Sequence, residues 1–365
     1  MRAQALALIR LLAAVLILTA VVLALRLWTP ASAEYSAEYR VFGSTAQVQL
    51  RSHDDARAKA ALTEIGALLE QSHRDWHAWE SDSALGQLNA ALAAGRPAVA
   101  SADLRAMIRH AQDGYRLSGG IFNAAMGKLI DAWGFHTSEY PVQAGAPDPA
   151  ELRNLQAHKA TMEDIELAPD GTVRSRNTEL ALDLNGLAEG YAAQQVAELL
   201  AARGIDNALV VIGGDAHARG DAGGRPWQVG LRNPAGGLLG HVFLHHGEAL
   251  SSSGDYIRYR LTDEGRAGHI VDPREAAPQR RTTAVSVLSD DPVLADMAAT
   301  ALTVAGARDF VTTARRMGIG CALLLDRGGE IFVTPAMRAR LQGFAADLPW
   351  QQTASTGRDC RRPRP

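Results

Sequence analysis

The chain has 365 residues, a formal net charge of −3 and 47% hydrophobic residues. That is enough for one large domain or two small ones with a core that needs no staple. The absence of a charge excess argues against nucleic acid as a partner, and its two cysteines, Cys321 and Cys360, give no zinc or iron–sulfur spacing.

At the N-terminus, Arg2 and Arg10 precede an uncharged run from Leu11 to Leu25 that Arg26 closes. Ala31-Ser32-Ala33 then fits the small-x-small pattern of a signal-peptidase site. The run is short of the roughly 20 apolar residues a membrane span needs. Residues 1–33 therefore read as a cleaved secretory signal, with an uncleaved anchor as the alternative; both place the folded part outside the cytoplasmic membrane. Val41 to Leu50 reads as a strand. Asp54-Asp55 start a helix with Leu62, Ile65 and Leu69 on one face, and Ser101 caps a second bearing Leu104, Ile108, Ala111 and Tyr115. Asp170-Gly171 marks a hairpin turn. A helix from about Leu187 stops at Gly204, and Ala208 to Ile212 follows as a buried strand. Trp227 to Leu231, His241 to His246 and Thr283 to Leu288 are further strands, and Asp291-Pro292 open a helix running to Gly306. Strands near Cys321 and Ile331 close a domain over residues 34–350, and residues 351–365 read as a disordered tail. Cys321, in an apolar run, reads as a buried inert thiol. A disulfide to Cys360 is permitted by an oxidising compartment but not required. The class is α+β with mainly antiparallel sheet and packed helices.

Four segments could carry chemistry. Asp296 and Thr300 are spaced i,i+4 among small and apolar residues, so their oxygens share one helix face. A hard cation such as Mg²⁺ would satisfy them, although an acid near a helix N-terminus is more often simple dipole stabilisation. Asp183-Leu184-Asn185-Gly186-Leu187-Ala188-Glu189-Gly190-Tyr191 takes strand into helix, with glycines that let backbone approach a phosphate. Ile212-Gly213-Gly214-Asp215 is either a ligand cradle or a plain tight turn. Ser251-Ser252-Ser253-Gly254-Asp255-Tyr256 precedes Gly268-His269-Ile270-Val271-Asp272-Pro273, where His269 could accept a proton near a metal-held phosphate. Trp76, Trp79 and Trp133 could stack on a flat heterocycle or belong to the core.

Taken in order, the segments FGST, WESDSALGQLN, GIFNAAMGKLIDAWGF, LDLNGLAEGY, ALVVIGGD, WQVGLRNP, SSSGDY, GHIVDP and VLADMAATAL resemble the ApbE family of flavin transferases over nearly the whole mature chain. The resemblance implies an ApbE-like, T-fold-related architecture. It also implies Mg²⁺ and FAD, with transfer of FMN to a Ser or Thr hydroxyl of a target flavoprotein, a phosphoester link and release of AMP. Asp296, Thr300 and the Ala188 carbonyl match the metal ligands. Phe42, Trp79, Ala125, Met126, Gly127, Asp183, Glu189 and Ile270 match positions around FAD, and His269 matches the base. The target implied is a subunit of a membrane redox complex, met in the periplasm or at the outer face of the inner membrane. Five departures stand out: Glu189 for the usual Lys, Gln194 for Asp, Glu275-Ala276 for Thr-Gly, Asn123 for Asp and Lys128 for Pro. They leave two other readings open, an exported flavin binder without activity and an FAD pyrophosphatase that uses water in place of the target.

Overall fold

The computed structural model describes residues 12–19, 32–143, 145–263, 265–345 and 347–360. Of the N-terminal segment, residues 12–19 are helical and the remainder up to residue 31 lies outside the described residues. Among the described residues no helix is long and apolar enough to cross a membrane.

One nine-stranded sheet organises the molecule. Its strands in chain order are β1 (Ala33–Val41), β2 (Ser44–Ser52), β3 (Asn207–Ile212), β4 (Asp215–Arg219), β5 (Ala249–Gly254), β6 (Thr282–Ser289), β7 (Cys321–Asp326), β8 (Ile331–Val333) and β9 (Trp350–Gln352), and each pairs with the next. All pairs are antiparallel except β8 with β9, which are parallel. The α+β class with mainly antiparallel sheet thus holds. Successive strand residues face opposite sides of a sheet, and here both sides are covered. Val210, Val285, Val287 and Leu324 pack under α1 (Asp55–Asp75), α3 (Ala102–Ser118), α6 (Asn185–Ala202) and α7 (Pro292–Met317), while α2 (Ala84–Ala93), α4 (Gly127–Ala132) and α5 (Pro149–Ala157) lie between them in the chain. Leu209, Ala284, Leu288, Leu323 and Leu325 pack instead against the hairpin Trp227–Arg232/Leu238–Leu244 and α8 (Pro335–Arg340). Burial on both faces explains why these strands read as unbroken apolar runs rather than alternating ones.

The caps fall where the sequence puts them. Asp54, Ser101 and Asp291 each accept a backbone N–H of the first turn, and α6 runs from Asn185, two residues before the expected start.

Three readings need correcting. The expected strand from Val41 to Leu50 contains a turn: β1 and β2 form a hairpin whose two-residue loop is Phe42-Gly43, with φ of 55° and 66°. Two left-handed residues match the twist of a tight hairpin, but Phe at that φ is costly. The helix from Pro292 does break at Gly306 (φ 68°), yet it resumes and runs to Met317. Finally, Cys321 is not a free thiol. It is bonded to Cys360, and the chain before that bond is ordered: Trp350–Gln352 form β9, and the backbone at Arg358 and Asp359 lies directly on Gly320. Residues 361–365 lie outside the described residues.

Candidate active site

A pocket of about 300 Å³ opens where the N-terminus of α6, the first turns of α7, the β1–β2 and β3–β4 turns and the end of β5 meet. Asp296 and Thr300 both line it, as their i,i+4 spacing requires. Asp296 is buried and its Oδ2 accepts the amide of Gly190 (3.0 Å), which ties α7 to α6. Thr300 Oγ1 lies 3.2 Å from Ser253 Oγ on β5. Gly190 permits this approach, since a Cβ there would sit 2.4 Å from the Pro292 carbonyl oxygen.

Two more carboxylates crowd the same corner. Glu189 lies over Gly213, where a Cβ would fall 2.1 Å from its Oε1. Asp215 is 4% exposed; its Oδ1 accepts the Ser252 amide (2.8 Å), while Oδ2 is buried with no hydrogen-bond partner among the described residues. Burial raises Asp215 to about 7, and burial with the Asp215 charge raises Glu189 to about 8. Asp296 is pushed well above the carboxylate range by burial, then by Asp215 and Glu189. Buried acids raised together, one with an orphaned oxygen, describe a site that lacks positive charge. Among the described residues no three acidic, imidazole or thiol side chains converge as a ready metal cage. The donor chemistry therefore fits a hard cation held by Asp296 and Thr300 with backbone and phosphate oxygens, the habit of Mg²⁺.

Across the pocket lies a wall of rings. Phe42 stacks on Trp76 (centroids 5.8 Å, 3° between planes). Its amide donates to His73 Nδ1 (3.2 Å), and its carbonyl accepts from Arg258 (3.0 Å). These bonds hold the strained φ in place. Trp79 stacks on His136 at 4.9 Å and meets the edge of His77 at 4.2 Å. Asp183 lines the floor. Its Oδ1 accepts the Asn185 amide (3.0 Å) and its Oδ2 faces His136 Nε2 (3.1 Å). Burial works to raise its pKa, but His136 and that amide outweigh it and hold the carboxylate below its usual range.

His269 faces the same cavity. Its Nδ1 lies 3.3 Å from the Arg258 carbonyl, an acceptor only, so that nitrogen carries the proton and Nε2 keeps its lone pair. Burial, then the charge of Arg258, depresses it to about 4, which keeps the ring neutral and able to accept a proton.

The remaining candidates divide. Met126, Glu189 and Ile270 line the cavity. Ala125 and Gly127 are buried behind it: the Ala125 amide donates to Asn123 Oδ1 (3.1 Å), and the Gly127 amide to Ala181 O (2.8 Å). Ala188 is buried in α6 and is not among the residues that line the cavity. The sequence reading missed His73, His136, Tyr140 and Arg258, all in or beside the wall. Only the i,i+4 pair His73/His77 flanking Trp76 left a periodic trace.

A model of the ApbE family matches residues 42–323, well over half of the chain. The chain belongs to the ApbE family. An FAD:protein FMN transferase of Rhodobacter capsulatus is 40% identical over 325 residues, 89% of this chain and 61% of that relative, so the chain spans about three-fifths of that protein. A Treponema pallidum protein of the same name is 30% identical, covering 86% of this chain and 88% of the relative. Among solved structures, the apo flavinyl transferase ApbE of Pseudomonas stutzeri superimposes with a TM-score of 0.75 at 26% identity, over 86% of this chain and 98% of that one. The flavin transferase ApbE of Vibrio cholerae gives 0.74 at 25%, over 85% and 100%.

Most departures from the ApbE pattern are absorbed locally. Asn123 bridges Ala160 O and the Ala125 amide, and Lys128 donates to Thr178 O and pairs with Glu179 (2.9 Å). Glu275 pairs with Arg281, which also meets the buried Asp272 (2.9 Å). Ala276 takes φ 55°, the conformation a glycine supplies without strain. Glu189 and Asn123 are the departures that line the cavity, and Glu189 is the one that adds a charge there.

Proposed function

We propose that this chain transfers FMN from FAD to a Ser or Thr hydroxyl of a target flavoprotein, with Mg²⁺ and with release of AMP. The observation that carries the reading is one cavity that gathers His269, Asp183, Asp296 and Thr300, residues distant in sequence, across from a ring wall able to hold a flavin. The enzyme class and the use of FAD rest on relatives named FAD:protein FMN transferase that align over most of the chain. The same proposal includes the phosphoester link, a periplasmic location and a target in a membrane redox complex. The disulfide between Cys321 and Cys360 supports an oxidising compartment.

In this reading Asp296, Thr300 and the Ala188 carbonyl hold the cation. When bound, it neutralises the pyrophosphate and makes the attacked phosphorus more electrophilic. Trp79 and Phe42 present ring faces to the isoalloxazine. His269 Nε2 takes the proton of the incoming hydroxyl, while the Arg258 carbonyl fixes the ring. Asp183 holds the nucleotide end.

The test is an in-gel flavin fluorescence assay after denaturation, with purified protein, FAD, Mg²⁺ and a membrane extract of the same source. A fluorescent band that EDTA abolishes is expected. AMP release without any labelled protein would make the chain an FAD pyrophosphatase instead. FAD binding with neither band nor AMP, in an extract known to contain unmodified acceptor, would leave it a flavin binder.

A further inference from the structure

His136 lies behind the pocket wall rather than on it, its side chain 9% exposed, and it touches two residues that do line the cavity. Its Nε2 faces Asp183 Oδ2 at 3.1 Å, its Nδ1 faces Asp131 Oδ1 at 3.5 Å, and its ring stacks on Trp79 with 17° between planes. A neutral imidazole has one N–H and one lone pair. With a carboxylate at both nitrogens, the neutral form would aim that lone pair at an anion. The geometry therefore selects the imidazolium. We propose that His136, kept charged by Asp131 and Asp183, is a positioning residue that fixes the Asp183 carboxylate and the Trp79 indole for FAD.

The neighbouring groups agree with one positive charge at this point. Burial first, then His73, lowers the pKa of His77, whose Nδ1 is buried without a partner among the described residues, so His77 stays neutral. His269, the next imidazole seen by Asp183, is neutral as well. Tyr140 also feels the Asp183 charge, and Arg258 acts on both Tyr140 and His269. Burial opposes charge on His136, but its bonds to Asp131 and Asp183 outweigh it and raise it to about 9. The arrangement holds two cavity-lining groups at once, the Asp183 carboxylate and the Trp79 indole. Removing the charge would free both, so the loss falls on FAD affinity, and thus on the KM for FAD, rather than on proton transfer at His269.

This inference rests on the reading of the pocket as an FAD site, and its test separates the two. FAD binding to the full protein is followed by flavin fluorescence from pH 7 to 10, at fixed Mg²⁺ and without acceptor. The quantity read is the ratio of the Kd of His136→Gln to that of wild type, in which titration of the flavin itself cancels. A ratio of about ten at pH 7.5, the size of one lost hydrogen bond to a charged group, should fall toward one as pH rises through about 9. His136→Arg, whose charge does not titrate in this range, should bind more tightly than His136→Gln and more tightly than wild type at pH 10. A ratio near one at pH 7.5, or a tenfold ratio that persists unchanged to pH 10 as a merely structural role would give, overturns the proposal. Should His136→Gln fail to fold, Asp131→Asn carries the test, since the Asp131 side chain is 69% exposed. Its alkaline loss of affinity should begin about one pH unit earlier than in wild type, and coincident profiles overturn the proposal. Wild-type protein that binds no FAD at any pH removes the FAD reading itself.

Discussion

Gly190→Ala tests the α6–α7 contact that supports the proposed metal site. Gly190 lies inside α6, where alanine would ordinarily stabilise a helix by about 1 kcal/mol. Here the added Cβ would fall 2.4 Å from Pro292 O, 2.9 Å from Pro292 C and 3.0 Å from Asp296 Cβ. Two of these are backbone atoms at the capped start of α7, so no side chain can swing aside and the helices must separate. Overpacking of this kind costs about 1–3 kcal/mol, and rigid backbone contacts argue for the upper end. The net loss is then about 2 kcal/mol, a fall in Tm of roughly 3 °C for a domain of this size. Separation also lengthens the Gly190 amide bond to Asp296 Oδ2. The affinity for Mn²⁺ with FAD present should fall about tenfold, as for a lost hydrogen bond to a charged group. Thermal denaturation and a Mn²⁺ titration followed by electron paramagnetic resonance measure the two effects. A variant with wild-type or higher Tm and unchanged Mn²⁺ affinity would refute the argument that α6 and α7 are spaced by this glycine.

Cutting the Cys321–Cys360 bond, whose partners are 39 residues apart, should remove about 4 kcal/mol by the chain-entropy model. The Tm of Cys360→Ser should then lie about 6 °C below that of the oxidised protein, and equal values would mean the tail is held without the bond. Because burial depresses His269 to about 4, the acid limb of kcat/KM should lie near pH 4, with the base deprotonated above it. A limb near 6.5, where an exposed histidine titrates, would contradict that environment.

Which parts of this molecule were legible beforehand follows from the range of the forces involved. The caps at Asp54, Ser101 and Asp291 are local hydrogen bonds within one turn, so the sequence marks them directly. The pairing of Asp296 with Thr300 on one face follows from helical period alone. The order of nine family-like segments carried the site assignment further than any spacing could, and His269, Asp183, Asp296 and Thr300 do share one cavity.

What the sequence left undecided depends on contacts between distant parts of the chain. Phe42 gave no turn signal because Phe is a poor left-handed residue; bonds to His73 and Arg258, 31 and 216 positions away, hold it there. Cys321 looks inert in its apolar strand until the tail folds back across Gly320 and brings Cys360 to it. His136 is unremarkable in a row of residues after Trp133, and only the approach of Asp183, 47 residues on, gives it a second carboxylate. The orphaned oxygen of Asp215 is likewise a tertiary fact, since its burial and its acidic neighbours come from other elements. Periodicity and capping are properties of a single segment and can be read from it. Electrostatic environment is set by whatever the fold brings alongside, so it had to wait for the structure.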